Sequence, residues 1–335
     1  MEQIELGNTG RRTTRLGFGC SSLMGATNRR DSLKLLETAF DAGIRHFDVA
    51  PMYGYGHAES CLGEFLQNHR GQVTVTTKFG IHPAKHSTLL HAGRRIAGPI
   101  IKQLPGLKQR LARAANTVAQ NAERPAFTPI EAKASLDRSL TALCTGHIDL
   151  WLLHEATVSD LRDDSLLSFL EAEVEKGSIG SFGIGSSSDK MPALLADRPA
   201  YCRTLQYEWS VLDSQIPDVP GPPFRIHHRA LTDSFRSLHA ALIRNKPLCQ
   251  RWSASTNTDL SNADFLANLM LKGSLVLNRA SITLFSSKNP THIHANVHAA
   301  AADSLELPAR QLHSLVQAEL DQLLPAATHP RASDH

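Results

Sequence analysis

The chain has 335 residues, of which 41% are hydrophobic and 20% charged, the make-up of a globular protein with ample material for a core. Its formal net charge of +3 is too small to argue by itself for nucleic acid or a membrane surface, and no stretch approaches the roughly 20 apolar residues that span a bilayer. The N-terminus lacks the basic and apolar blocks of a secretory leader, and five scattered cysteines (Cys20, Cys61, Cys144, Cys202, Cys249) point to reduced thiols, so a cytoplasmic location is expected.

An N-terminal hairpin over roughly 3–15 precedes a first strand near Arg15–Cys20. A helix around Asp31–Ala42 follows, with Asp31 as its cap and Gly43 as its stop. Further strands are placed at Ile44–Asp48, Val73–Thr77, Ile148–Leu153, Ser178–Gly183, Thr204–Tyr207, Phe224–His228 and Ser281–Phe285. Helices fit between most of them, notably Pro129–Leu143 and Ser165–Lys176. Short apolar runs alternating with helix-period segments indicate parallel βαβ units, and eight of them make a closed (β/α)8 TIM barrel of the α/β class. It is expected to form one domain over residues 1–324.

Two stretches break the alternation. Residues 79–127 form a long insertion after the third strand; from Phe65 through Ala122 there is no Asp or Glu, while Lys85, Arg94, Arg95, Lys102, Lys108, Arg110 and Arg113 accumulate. Placed over the mouth of a barrel, this insertion reads either as a lid that attracts an anionic ligand or as a solvated helical excursion. It lacks the run of aromatics that stacks nucleic-acid bases. The proline-rich Asp213–Pro223 reads as a loop, and residues 325–335 as a disordered tail.

The chemistry is concentrated at strand ends. Asp48 and Tyr53 lie in the stretch Gly43 to Glu59, Lys78 ends Val73-Thr-Val-Thr-Thr-Lys78, and His154 closes Ile148-Asp-Leu-Trp-Leu-Leu-His154. The C-terminal ends of parallel barrel strands meet on one face, so an acid, a phenol, an ammonium and an imidazole are expected to converge there. An ammonium beside a phenol favours the phenolate and lowers the phenol's pKa, a carboxylate keeps that ammonium charged, and an imidazole can orient a carbonyl. The competing reading is a structural Asp–Lys ion pair with Tyr53 and His154 on the rim.

The segment His46-Phe-Asp48-Val-Ala-Pro-Met-Tyr53-Gly, with Glu59 and Leu62-Gly63, resembles the signature of the aldo-keto reductase superfamily. So do Thr76-Thr-Lys78, Ile148–His154, Gly177-Ser-Ile-Gly-Ser-Phe-Gly-Ile-Gly-Ser186 and Gln206, and the resemblance covers about residues 4–300. It implies a barrel that uses a nicotinamide cofactor without a Rossmann domain. Tyr53 would be the proton donor, Lys78 and Asp48 its tuners, and His154 the group that orients the carbonyl of a small aldehyde, ketone or sugar. The same likeness implies cofactor contacts from Cys20, Ser21, Asp48, Ser186, Ser187 and Gln206, with Ser187 standing where Asn is typical. Ser286, Ser287, Lys288, His292 and Asn296 fall in the segment that would bind the adenosine end. Ser286 replaces the usual Gly or Lys there, and His292 stands where Arg or Gln is common. Lys288 and Ser287 suit a 2′-phosphate, so NADP is preferred to NAD.

Other readings are weaker. Gly183-Ile-Gly185-Ser-Ser-Ser188 and Gly17-Phe-Gly19-Cys-Ser-Ser22 lack the third glycine of a dinucleotide fingerprint. His292, His294 and His298 do not share one helix face and read as a solvated surface rather than a metal site. His227 and His228 end a strand and point to opposite sides, so one of them can approach the mouth. Two rival functions remain: a non-catalytic nucleotide-binding regulatory or scaffold subunit of the same fold, and a barrel enzyme using Lys78 as a Schiff-base nucleophile.

Overall fold

The apolar runs become strands because each can bury both faces, as a parallel strand sheathed by helices must. The structure, a computed structural model, describes residues 1–25, 27–83, 124–216 and 221–323. An antiparallel hairpin, β1 (Gln3–Glu5) and β2 (Arg12–Thr14), leads into eight strands: β3 (Leu16–Gly19), β4 (His46–Asp48), β5 (Thr74–Phe79), β6 (Ile148–His154), β7 (Ile179–Gly185), β8 (Thr204–Glu208), β9 (Phe224–His228) and β10 (Ser281–Phe285). They pair in parallel in chain order, and β10 closes the barrel on β3 through Thr283 opposite Leu16 and Phe285 opposite Phe18. Helices α1 (Arg29–Asp41), α2 (Ala58–His69), α3 (Pro129–Ala142), α4 (Ser165–Glu175) and α5 (Met191–Asp197) each follow one strand. The β9–β10 connection holds three, α6 (Asp233–Arg244), α7 (Lys246–Thr256) and α8 (Ala263–Leu277); α9 (Pro290–Ala301) and α10 (Glu306–Leu323) follow β10. Among the described residues no helix is long and apolar enough to cross a membrane.

Side-chain alternation separates a narrow interior from a broad outer core. Leu150, Ile226, Ile282 and Leu284 form the inner cluster, and Leu6 of the hairpin packs into it, fully buried. In the same interior, His46 shares hydrogen bonds with Thr74 and Thr76 at 3.0 and 3.3 Å. Gly17 leaves room for that layer, since a Cβ there would stand 2.7 Å from Leu284 and 3.0 Å from His46. Outward-facing Phe18, Phe47, Trp151, Phe182 and Tyr207 pack under the helices, each large buried side chain contributing roughly 1.5–3 kcal/mol. A second outer cluster around Trp252, Leu266, Leu312 and Val316 joins α6, α7, α8 and α10.

Local signals set most helix starts. Thr128, Asn245, Asn262 and Asn289 each accept a hydrogen bond from a first-turn amide. At α1 the cap is Asn28 rather than the expected Asp31: the Asn28 side chain accepts from the Asp31 amide, because the helix begins one turn earlier and Asp31 falls inside it. Residues 84–123, which hold the basic run of the insertion, lie outside the described residues, as do 217–220 and the expected tail 325–335.

Candidate active site

β4 delivers Asp48 and β5 delivers Lys78 to the C-terminal face, and the two side chains, 4% and 3% exposed, form an ion pair of 2.6 Å. The Lys78 ammonium also donates to the Val49 carbonyl at 3.1 Å. Gln206, from β8, donates its amide N–H to the other Asp48 oxygen at 2.7 Å. Both carboxylate oxygens of Asp48 are therefore engaged, one by charge and one by an amide, which is what a buried anion requires.

Tyr53 reaches the same point from a tight turn after β4. The turn passes through Gly54 and Tyr55 in left-handed conformation, with φ of 57° and 58°. Glycine is required at the first, where a Cβ would meet the Leu23 carbonyl at 2.5 Å and the Met24 Cβ at 2.6 Å. This brings the Lys78 ammonium to 5.3 Å from the centre of the Tyr53 ring. Burial, the largest single influence, pushes Lys78 down, but Asp48, Tyr53 and Cys20 together outweigh it and the ammonium's pKa lies above the ordinary lysine value. Burial pushes the Tyr53 phenol up, and Lys78 opposes that shift without overcoming it. The expected net lowering of the phenol's pKa is thus corrected: the ammonium acts in the expected direction, and desolvation is larger.

His154, the last residue of β6, is half-buried on the same cavity. Burial first, then Lys78 and His228, lower its pKa to about 3, so the imidazole is neutral at neutral pH. Its Nδ1 is buried and has no hydrogen-bond partner among the described residues. The cavity, about 690 Å³, is lined by Asp48, Tyr53, Lys78 and His154 together with Ser21, Ser186, Ser187, Gln206, Ser286 and Asn296. All four expected catalytic residues and most of the expected cofactor positions therefore share one space.

The remaining cofactor positions are placed differently. Cys20 is fully buried beneath the site, and burial pushes its thiol pKa up. The hydroxyl of Ser287 donates to the Asn289 carbonyl at 3.1 Å, beside the cavity-lining Ser286, whose hydroxyl donates to the Gly19 carbonyl at 2.6 Å. Lys288 and His292 are exposed and do not line the cavity. His228 faces the cavity, whereas its neighbour His227 turns outward against Tyr207 and Trp209.

The structure adds residues that sequence reasoning passed over, above all Glu155 and Glu208. Glu155 directly follows β6, and Glu208 ends β8. Strand-end position was the available signal for both. The ends of the insertion also reach this face: Ile81 lines the cavity and the Arg124 guanidinium donates to the Glu155 carbonyl at 2.6 Å.

A nicotinamide dinucleotide fits these residues on two observations. The side chains of Ser187 and Asn296 face the cavity and make no hydrogen bond among the described residues. Gly185 keeps the Gln206 amide accessible, since a Cβ there would come within 3.3 Å of its oxygen.

Over residues 15–219, more than half of the chain, the sequence matches the model of the aldo/keto reductase family. It is similar to a pyridoxal 4-dehydrogenase of Microbacterium luteolum, 44% identical over 82 residues, which are 24% of each chain. It is also similar to a D-threo-aldose 1-dehydrogenase of a Pseudomonas species, 33% identical over 180 residues, 51% of this chain and 49% of that protein. The matched stretches thus span about a quarter to a half of these curated relatives' lengths. In fold, it resembles an aldo-keto reductase of Klebsiella pneumoniae solved in complex with NADPH, with a TM-score of 0.64, 17% identity and coverage of 100% of this chain and 99% of that one. On the family match, joined to a parallel barrel with its polar strand ends gathered at one mouth, the chain belongs to the aldo/keto reductase family.

Proposed function

We propose that this protein is an NAD(P)-dependent oxidoreductase acting on the carbonyl or alcohol of a small aldehyde, ketone or sugar, with NADP as the preferred cofactor. The observation that carries the reading is the buried Asp48–Lys78 pair beside Tyr53, tied through Gln206 to the wall that would hold the nicotinamide. The relatives named as a pyridoxal 4-dehydrogenase and an aldose 1-dehydrogenase support a substrate of this class.

When bound, the cofactor supplies or takes up a hydride at the substrate carbon. Tyr53 gives its phenolic proton to the carbonyl oxygen in reduction and takes it back in oxidation. Lys78 lowers the cost of the phenolate, and Asp48 keeps Lys78 charged inside the protein. His154, neutral, offers a ring N–H to the same oxygen and orients it. Ser186, Ser187 and Gln206 would hold the carboxamide, and Ser286 and Asn296 would line the path toward the adenosine end, where Ser287, Lys288 and His292 lie.

Tyr53→Phe tests this assignment. Turnover of an aldehyde panel should fall by about 10³-fold, while NADPH binding, followed by quenching of protein fluorescence, stays within about twofold. A wild-type rate in the variant overturns the role of Tyr53. Tight NADPH binding by the wild-type protein with no oxidation by any carbonyl would instead indicate a non-catalytic nucleotide-binding subunit.

A further inference from the structure

Glu155 adopts the left-handed region, φ 57°, although it is not glycine and stands immediately after His154. A glutamate in that conformation is strained, so something in the surrounding structure must hold it there. Its backbone N–H donates to the Gly185 carbonyl at 2.6 Å. Its carboxylate is directed at the next strand end, where Oε2 accepts from the Ser186 hydroxyl at 3.2 Å and from the Lys190 ammonium at 2.9 Å. From the other side, Glu208 accepts from the Ser188 amide at 3.2 Å and the Ser188 hydroxyl at 3.3 Å. The segment Ser186–Lys190 is therefore clasped between carboxylates from the two strands that flank β7.

The clasp has a chemical consequence. A serine hydroxyl has one proton to donate and two lone pairs. By donating to Glu155, Ser186 turns toward the cavity as an acceptor, whereas Ser187 keeps its proton free. An acceptor beside a donor complements a primary amide, which presents an NH₂ and a C=O side by side. We infer that Glu155 is a positioning residue that fixes the polarity of the Ser186 hydroxyl, so that the Ser186–Ser187 pair recognises the carboxamide of the cofactor. This rests on the cofactor reading above. It accounts for the strained backbone: left-handed geometry aims the carboxylate along the cavity wall at β7 rather than into the mouth.

Three variants separate this role from a structural one. Glu155→Ala and Glu155→Gly remove the same contacts but differ in backbone freedom, so Glu155→Gly should unfold at the higher temperature. Both should weaken NADPH binding alike, by about tenfold, the value of one hydrogen bond. Glu155→Gln keeps an oxygen acceptor for Ser186 and should bind NADPH within about twofold of wild type. Binding of 2′,5′-ADP, which lacks the carboxamide, should be the same in all four proteins. The inference is overturned if Glu155→Ala binds NADPH as wild type does, if affinity follows melting temperature across the variants, if Glu155→Gln is as weak as Glu155→Ala, or if 2′,5′-ADP weakens in parallel. Failure of wild-type protein to bind NADPH would instead overturn the cofactor reading on which the inference stands.

Discussion

Asp48 and Lys78 illustrate how two charges are kept inside a barrel. Each is almost fully buried, each neutralises the other, Gln206 takes the second carboxylate oxygen, and the Val49 carbonyl takes a second ammonium N–H. Removing one partner leaves the other charge uncompensated, which costs about 3–5 kcal/mol at buried sites. Lys78→Met should therefore lower the free energy of unfolding by that order, measured by urea titration. The same change removes the main influence that opposes desolvation of Tyr53. The alkaline limb of alcohol oxidation, where the phenol must lose its proton, should move to higher pH in Lys78→Met; an unmoved limb would separate Lys78 from the tuning of Tyr53. Asp48, Lys78 and His154 were legible from position alone, because a polar residue ending an apolar run is rare unless used. The net direction of the Tyr53 shift was not legible, because desolvation depends on how much protein surrounds the ring.

At the scale of elements, β7 is the strand with least tolerance. Gly183 lies so close to β8 that a Cβ would be 2.0 Å from the Thr204 carbonyl and 2.8 Å from its Cβ. Gly183→Ala should force β7 away from β8 and cost on the order of 3–5 kcal/mol, read as a lowered melting temperature. It should also weaken NADPH binding, since Ser186 and Gln206 lie just beyond on the same two strands. Full stability in Gly183→Ala would show that the two strands separate freely. Run lengths and breakers located every barrel strand to within a few residues, because a strand buried on both faces leaves a continuous apolar trace. The α1 cap was misplaced by one turn because Asn28 and Asp31 are both good caps, and only the packed position of the helix chooses between them.

At the scale of the whole molecule, the barrel keeps histidines neutral. His46 inside the barrel and His227 outside it are both fully buried, and burial, the largest cause for each, lowers both pKa values to about 3. An unfolded histidine titrates near 6.5, so between about pH 6.5 and 3 the unfolded chain binds protons that the native state refuses. Stability from this source is therefore complete above about pH 6.5 and is lost as the pH falls, by up to about 1.4 kcal/mol per pH unit for each group. His46 has threonine partners, whereas neither ring nitrogen of His227 has a hydrogen-bond partner among the described residues. His227→Phe should keep the ring packing against Tyr207 and Trp209 while reducing the acid-side slope of stability against pH. An unchanged slope in chemical denaturation between pH 4 and 6 would remove His227 from that account.

By itself the sequence determined the number and order of the barrel strands, the three residues Asp48, Lys78 and His154 at their polar ends, and Tyr53 just beyond the first of these. Strand parity and apolar run length are local properties, and parallel closure puts every strand end on one face whatever the loops do. Tertiary structure alone decided which of the proposed cofactor residues reach the cavity and that burial outweighs Lys78 at Tyr53. It also brought Glu155 and Glu208 to the serine segment from opposite sides. These outcomes depend on distances between residues far apart in the chain, and on how far each group is removed from water.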